Sequence, residues 1–134
     1  DPKVAFVSHS TFGQPLTSRT KHIKNAVQIL KDRKVDFEFD GDMQPDVALN
    51  EEYKSLYPFS KIVGNANILI MPGQHSAAIS YKMMKTLGDT KVIGPLLIGL
   101  GLPIEIAPLR SSTSEILNLA SIAAYSADVI EYSK

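Results

Sequence analysis

The sequence predicts an α/β protein with three layers, a mostly parallel sheet of about five strands carrying helices on both faces. Two patterns predict it. Short apolar runs at residues 3–9, 68–71, 92–98 and 103–107 stop at breakers such as Pro72-Gly73, and a run at 35–40 alternates apolar and acidic residues. Between and after these runs, apolar residues recur at helical spacing, as in Ala77, Ala78, Tyr81, Met84 and Leu87. With 134 residues there is room for one domain and a sizeable core, so residues 1–134 are read as a single unit.

Residues 3–9 form the first strand, which ends in the polar loop 8–15. Thr17 or Ser18 caps a helix whose inner face is Ile23, Ala26, Val27 and Leu30. Its remaining surface is crowded with Arg19, Lys21, His22, Lys24, Lys31 and Arg33, the pattern of a solvated face. Residues 35–40, VDFEFD, predict a strand with one wet face or an edge position, followed by a turn at 41–46 and a short helix near 47–53.

Ile68-Leu69-Ile70-Met71, uninterrupted by polar residues, predicts a strand buried on both faces. Ser76 is a candidate N-cap for the helix that follows, and Gly88 its stop. After strands at 92–98 and 103–107, a terminal helix runs from about Thr113. It is apolar on more than one side, which asks for cover from another domain or subunit.

Composition excludes several classes. Fourteen Lys and Arg balance fourteen Asp and Glu, so no broad basic field exists to hold nucleic acid or an acidic membrane. No stretch is long and apolar enough to span a bilayer. The chain has no cysteine, which removes disulfides, thiolate metal sites and cysteine nucleophiles and fits a reducing cytoplasm. It begins without methionine and enters a strand at once, as expected of a piece of a longer polypeptide.

In open α/β sheets ligands collect at the carboxyl ends of strands. Here those ends carry Pro72-Gly73-Gln74-His75 and Pro108 to Ser112, and Ser10 and Thr11 of the loop 8–15 are further ligand-binding candidates. His9 and His75 each follow a strand and are candidates to meet at one rim, and Lys82 is a candidate to reach toward it, with a solvated lysine as the default reading. Ser112-Thr113-Ser114-Glu115 fits a capping box. The same helix start, with Arg110, Ser111 and Ser112, suits a phosphate or a pyrophosphate, because backbone donors and a guanidinium fork both favour an anion. Asp40, Asp42 and Asp46 fall in one turn, where turn chemistry accounts for them without a metal ion. None of the three histidines has metal-ligand spacing, and no metal site is expected. Gly99-Leu100-Gly101 lacks the third glycine of a dinucleotide fingerprint, and no Walker A or nucleophile-elbow motif occurs.

Six segments stand in an order that resembles a known family: Val7-Ser8-His9-Ser10-Thr11-Phe12-Gly13, Phe39-Asp40-Gly41-Asp42-Met43-Gln44, Asp46-Val47-Ala48-Leu49, Gly64-Asn65-Ala66-Asn67-Ile68-Leu69-Ile70-Met71-Pro72, Ile79-Ser80-Tyr81-Lys82 and Ile93-Gly94-Pro95-Leu96-Leu97. Together they resemble the C-terminal half of the phosphate acetyltransferase/butyryltransferase family, and within it the C-terminal phosphotransacetylase-like domain of bacterial NADP-dependent malic enzymes. The resemblance implies part of a two-lobed domain. It also implies upstream malic-enzyme domains that would hold NADP and a divalent metal and oxidise malate, with no cofactor in this segment.

In active acetyltransferases of the family, a serine and an arginine of a Ser-Arg-Gly sequence lie in the acyl-phosphate/CoA cleft, and an aspartate a few residues on deprotonates the CoA thiol. Here Pro108 and Leu109 stand at the serine and arginine positions, Arg110 is displaced by one, and Glu115 falls at the aspartate position. The implied role is a regulatory and oligomerisation domain that binds acetyl-CoA or a related acyl-CoA, or another phosphorylated small molecule, as an effector. The implied alternatives are an active phosphate acetyltransferase and a ligand-free dimerisation domain.

Overall fold

A computed structural model describes residues 1–132, with side chains through Val129. The element order is β1 (Lys3–Val7), α1 (Ser18–Arg33), β2 (Glu38–Met43), α2 (Pro45–Leu49), α3 (Glu51–Lys54), β3 (Ile68–Ile70), α4 (Gln74–Leu87) and α5 (Thr113–Tyr132). The chain divides into two compact units, Asp1–Met83 and Met84–Lys134, the division falling inside α4.

In the first unit β1 lies between β2 and β3, parallel to both. Strand alternation sends Val4 and Phe6 to one face and Ala5 and Val7 to the other. Val4 and Phe39 pack with Val27 of α1, flanked by Ile23 and Leu30. Ala5, Val7 and Met43 pack with Val47 and Ala48 of α2 and with Ile62 and Ala66. Helices therefore cover both faces, as the sequence predicts. Thr17 is the N-cap of α1, its hydroxyl accepting the Thr20 N–H while Thr20 Oγ1 accepts the Thr17 N–H in return.

Three expectations need correction here. The second strand is Glu38–Met43 rather than 35–40, so Asp40 and Asp42 belong to a strand and both are buried. Backbone donors make this possible, since Asp40 accepts N–H groups from Gly41 at 3.0 Å and from Lys61 at 2.8 Å. It does occupy an edge of the described sheet. The third strand is not buried on both faces. Register sets Ile68 beside Val4 and Ile70 beside Phe6, but α1 lies over β1 and β2, leaving Ile68 and Ile70 41% and 42% exposed. Only Leu69 joins the core. Ser76 is not an N-cap. The helix opens at Gln74, and the Ser76 hydroxyl donates back to the Gly73 carbonyl at 2.8 Å.

In the second unit α4 ends at Leu87, with Gly88 directly after it as expected. Residues 92–98 and 103–107 form no strand, so the described sheet has three strands and not about five. Pro95 and Pro103 lack the N–H a ladder needs. The apolar side chains of these runs lie open, Ile98 at 88% exposure among them. They have the composition of strands without a partner strand. In α5, Leu119 is buried while Ile116 and Leu117 are exposed, in keeping with a helix apolar on more than one side. Among the described residues no helix is long and apolar enough to cross a membrane.

Candidate functional site

The strand order β2-β1-β3 places a topological switch between β1 and β3, because the chain leaves β1 toward one side and returns on the other. Crevices at the carboxyl ends of strands beside such a switch are where ligands bind in open α/β sheets. A cleft of about 580 Å³ opens there. That volume falls within the roughly 300–1,000 Å³ of small-molecule pockets. Ser8 and His9 enter it from the end of β1, Met71, Pro72 and Gly73 from the end of β3, Arg19 and His22 from the first turns of α1, and His75 and Ser76 from the first turn of α4. All three histidines of the chain thus line one cleft, and among the described residues no carboxylate does.

The loop after β1 is fixed by the end of β2. Ser8 N–H donates to the Met43 carbonyl at 2.9 Å, Phe12 N–H to the Asp42 carbonyl at 2.6 Å, and the Gln44 side-chain amide to the His9 carbonyl at 2.9 Å. Below them lies Asp42, fully buried, with Oδ2 accepting the Ser10 hydroxyl and Oδ1 without a partner among the described residues. Ser8 Oγ stands 3.4 Å from Ser10 Oγ and 3.5 Å from His9 Nδ1, so a polar thread runs from the buried carboxylate to the cleft wall. The Phe12 ring meets Tyr57 and Phe59 at centroid distances of 5.5 and 4.8 Å, anchoring the far end of the loop.

Of the residues singled out in the sequence, His75 lines this cleft, and His9 meets it there as expected. Ser10 and Thr11 do not line it. Their hydroxyls are buried, that of Thr11 accepting the Gln44 N–H at 3.1 Å. Lys82 is exposed, its ammonium 6.0 Å from the centre of the Tyr81 ring. Arg19 and His22 are additions. A cation on a helix surface defaults to solvent, and only the switch-point topology tells that these two face a cleft.

The other candidate lies in the second unit. The capping box is formed: Ser112 N–H and hydroxyl donate to Glu115 Oε2 at 2.8 and 3.0 Å, and Glu115 N–H donates to Ser112 Oγ at 3.3 Å. Lys85 adds an ion pair to Glu115 Oε1. The Lys85 ammonium, then the Ser112 N–H and hydroxyl, hold the Glu115 carboxyl down at about 2. Arg110 is exposed, and Ser111 N–H closes a turn onto the Pro108 carbonyl at 2.9 Å. The depression beside Pro108, Ser111 and Glu115 holds only about 20 Å³, room for one water. A carboxylate of the chain thus takes the donors an external anion would use. Among the described residues, no group of three or more His, Cys, Asp or Glu could hold a metal ion.

Comparison with known proteins shows the family. Residues 1–124 match the family model described as phosphate acetyl/butaryl transferase. The NADP-dependent malic enzyme of Rhizobium meliloti is 50% identical over 126 residues, covering 94% of this chain and 17% of that protein. The phosphate acetyltransferase of Clostridium acetobutylicum is 36% identical, covering 91% and 37%. A phosphotransacetylase from Streptococcus pyogenes superposes with a TM-score of 0.85 at 34% identity, covering 95% of this chain and 39% of that one. The chain spans about a sixth of the malic enzymes it matches and well under half of the acetyltransferases. The resemblance read from the six sequence segments is borne out.

Proposed function

Because the chain belongs to the phosphate acetyl/butaryl transferase family, we propose that it is the regulatory and assembly domain of a cytoplasmic malic enzyme, binding acetyl-CoA or a related acyl-CoA without transferring the acyl group. The observation that carries this reading is the segment 107–111. Pro108 stands where the family resemblance puts an acyl-binding serine, and Leu109, fully exposed, where it puts an arginine. Proline has no hydroxyl to polarise an acyl phosphate, and a guanidinium shifted by one residue points elsewhere. Acyl transfer depends on donors placed to within a fraction of an ångström, and one misplaced donor lowers the rate by orders of magnitude. Glu115, at the position of the thiol-deprotonating aspartate, is engaged with Lys85 and Ser112 and held at about 2, too weak a base for a thiol. The likeness to malic enzymes, at 50% and 41% identity, supports a parent that decarboxylates malate oxidatively through upstream domains binding NADP and a divalent metal.

Two assays on the full-length protein test the reading. Acetyl-CoA is expected to change the rate of malate oxidation, and acetyl phosphate plus CoA to give no acetyl-CoA above the uncatalysed background. Robust acetyl-CoA synthesis would sink it in favour of an active phosphate acetyltransferase, a reading that the 36% identity to the Clostridium acetobutylicum enzyme supports.

A further inference from the structure

We propose that the cleft at the β1–β3 rim is a phosphate-binding pocket in which Arg19, His9, His22 and His75 hold the phosphoryl oxygens of the ligand, and that the start of α5 is not. This rests on the acyl-CoA reading for the rest of the ligand but makes its own claim about where the charged part sits.

Charge carries the argument first. The chain as a whole balances fourteen cations with fourteen carboxylates, yet among the described residues the cleft lining contains an arginine, three imidazoles and no carboxylate. Arg19 makes no ion pair among the described residues, so its fork of donors is open. Each imidazole offers at least one N–H donor in either protonation state. With one fixed positive charge on Arg19 and several N–H donors beside it, such a lining suits an oxyanion with several acceptor oxygens. The histidines come from positions 9, 22 and 75, on the loop after β1 and on α1 and α4, so their meeting is a product of the fold and not of a local motif. Val7, Ile23 and Met71 form an apolar wall beside them, which fits a phosphate joined to a less polar body. By contrast, the helix start at Ser112 is filled by Glu115, and a phosphate there would have to displace that carboxylate against like-charge repulsion.

Inorganic pyrophosphate is the probe, because it has the charge of the ligand without its acyl or nucleotide parts. Calorimetric titration into the full-length protein is expected to give binding that weakens at least tenfold in Arg19→Ala and in His75→Gln, with less than a twofold change in Arg110→Ala. Arg19 and His75 are exposed, so the variants should keep the wild-type urea midpoint, which checks their folding. Equal affinity in wild type and Arg19→Ala, or a loss confined to Arg110→Ala, overturns the proposal. Acetyl-CoA is titrated alongside. Acetyl-CoA binding indifferent to Arg19 would leave the regulatory reading standing and remove this pocket. Pyrophosphate binding through Arg19 with no binding of acetyl-CoA would keep the pocket and remove that reading.

Discussion

The rim of the three-stranded sheet and the start of α5 are both junctions where a loop hands a set of hydrogen-bond donors to a helix, and they use those donors in opposite ways. At α5 the donors face inward onto Glu115, a carboxylate of the chain itself, and Lys85 completes the neutralisation. At the rim the chain's own carboxylate, Asp42, is buried beneath the loop and holds it from behind, while Arg19 and three histidines face an open cleft. A junction that satisfies itself is a structural cap. A junction that is braced from below and left basic above is built to receive something. The supports differ in burial as well, so perturbing the rim should cost far more than perturbing the cap.

The largest effect is expected from Gly41→Ala. Gly41 has φ of +152°, and a Cβ there would stand 2.7 Å from both Cβ and the carbonyl oxygen of Phe6 on the neighbouring strand. Neither can yield without parting β1 from β2, so the substitution should destabilise by at least about 3 kcal/mol. Urea unfolding would show a lowered midpoint or no folded baseline. A loss below about 1 kcal/mol would mean that the two strands are not held as closely as the geometry requires, and the rim would lose its claim to rigidity.

Asp42 sharpens the same point. Asp42→Ala removes the acceptor of the buried Ser10 hydroxyl and should cost about 2 kcal/mol. Asp42→Asn retains a carbonyl acceptor and should stay within about 1 kcal/mol of wild type. Equal losses in the two variants would show that Ser10 depends on the carboxylate and not merely on an acceptor. Because the loop carries His9, the alanine variant is also expected to weaken pyrophosphate binding more than the asparagine variant does.

This contrast was only half visible in the sequence. The first strand, the helix capped at Thr17, the Ser112–Glu115 box and the meeting of His9 with His75 were legible, since each follows from spacing or from the rule that strand ends host sites. Asp42 was not. An acidic residue near glycine reads as turn chemistry, and nothing local shows that a serine thirty-two residues away will cover it. Arg19 and His22 were hidden in a charge run, because helical periodicity gives a face but not what that face looks onto. The two apolar runs after Gly88 misled in the other direction. Their composition is that of strands, but strands are completed by partners, and residues 92–98 and 103–107 have none among the described residues.

The smallest effect, and the one that separates cap from cleft by pH, belongs to Glu115. Its carboxyl is held at about 2 against an ordinary value of 4.5, by Lys85 first and the Ser112 donors next. A group whose folded value is depressed contributes stability that is complete above the unfolded value and is lost as pH falls through the folded one. The window here runs from about 4.5 down to about 2. The ion pair is half exposed and therefore screened, so the difference between low and high salt should be visible but modest. The informative quantity is the difference between wild type and Glu115→Gln. That difference, followed by helix circular dichroism in urea, should be present at pH 6 and shrink toward zero near pH 2. Glutamine keeps a partial capping bond but cannot fill the helix start with charge, so the variant also asks whether this junction can become a site. If Glu115→Gln gains affinity for pyrophosphate that Arg110→Ala then removes, one carboxylate is what keeps this helix start from being a site. If it gains none, the open cleft with its bracing from below is what makes a site, and free donors at a helix start are not enough.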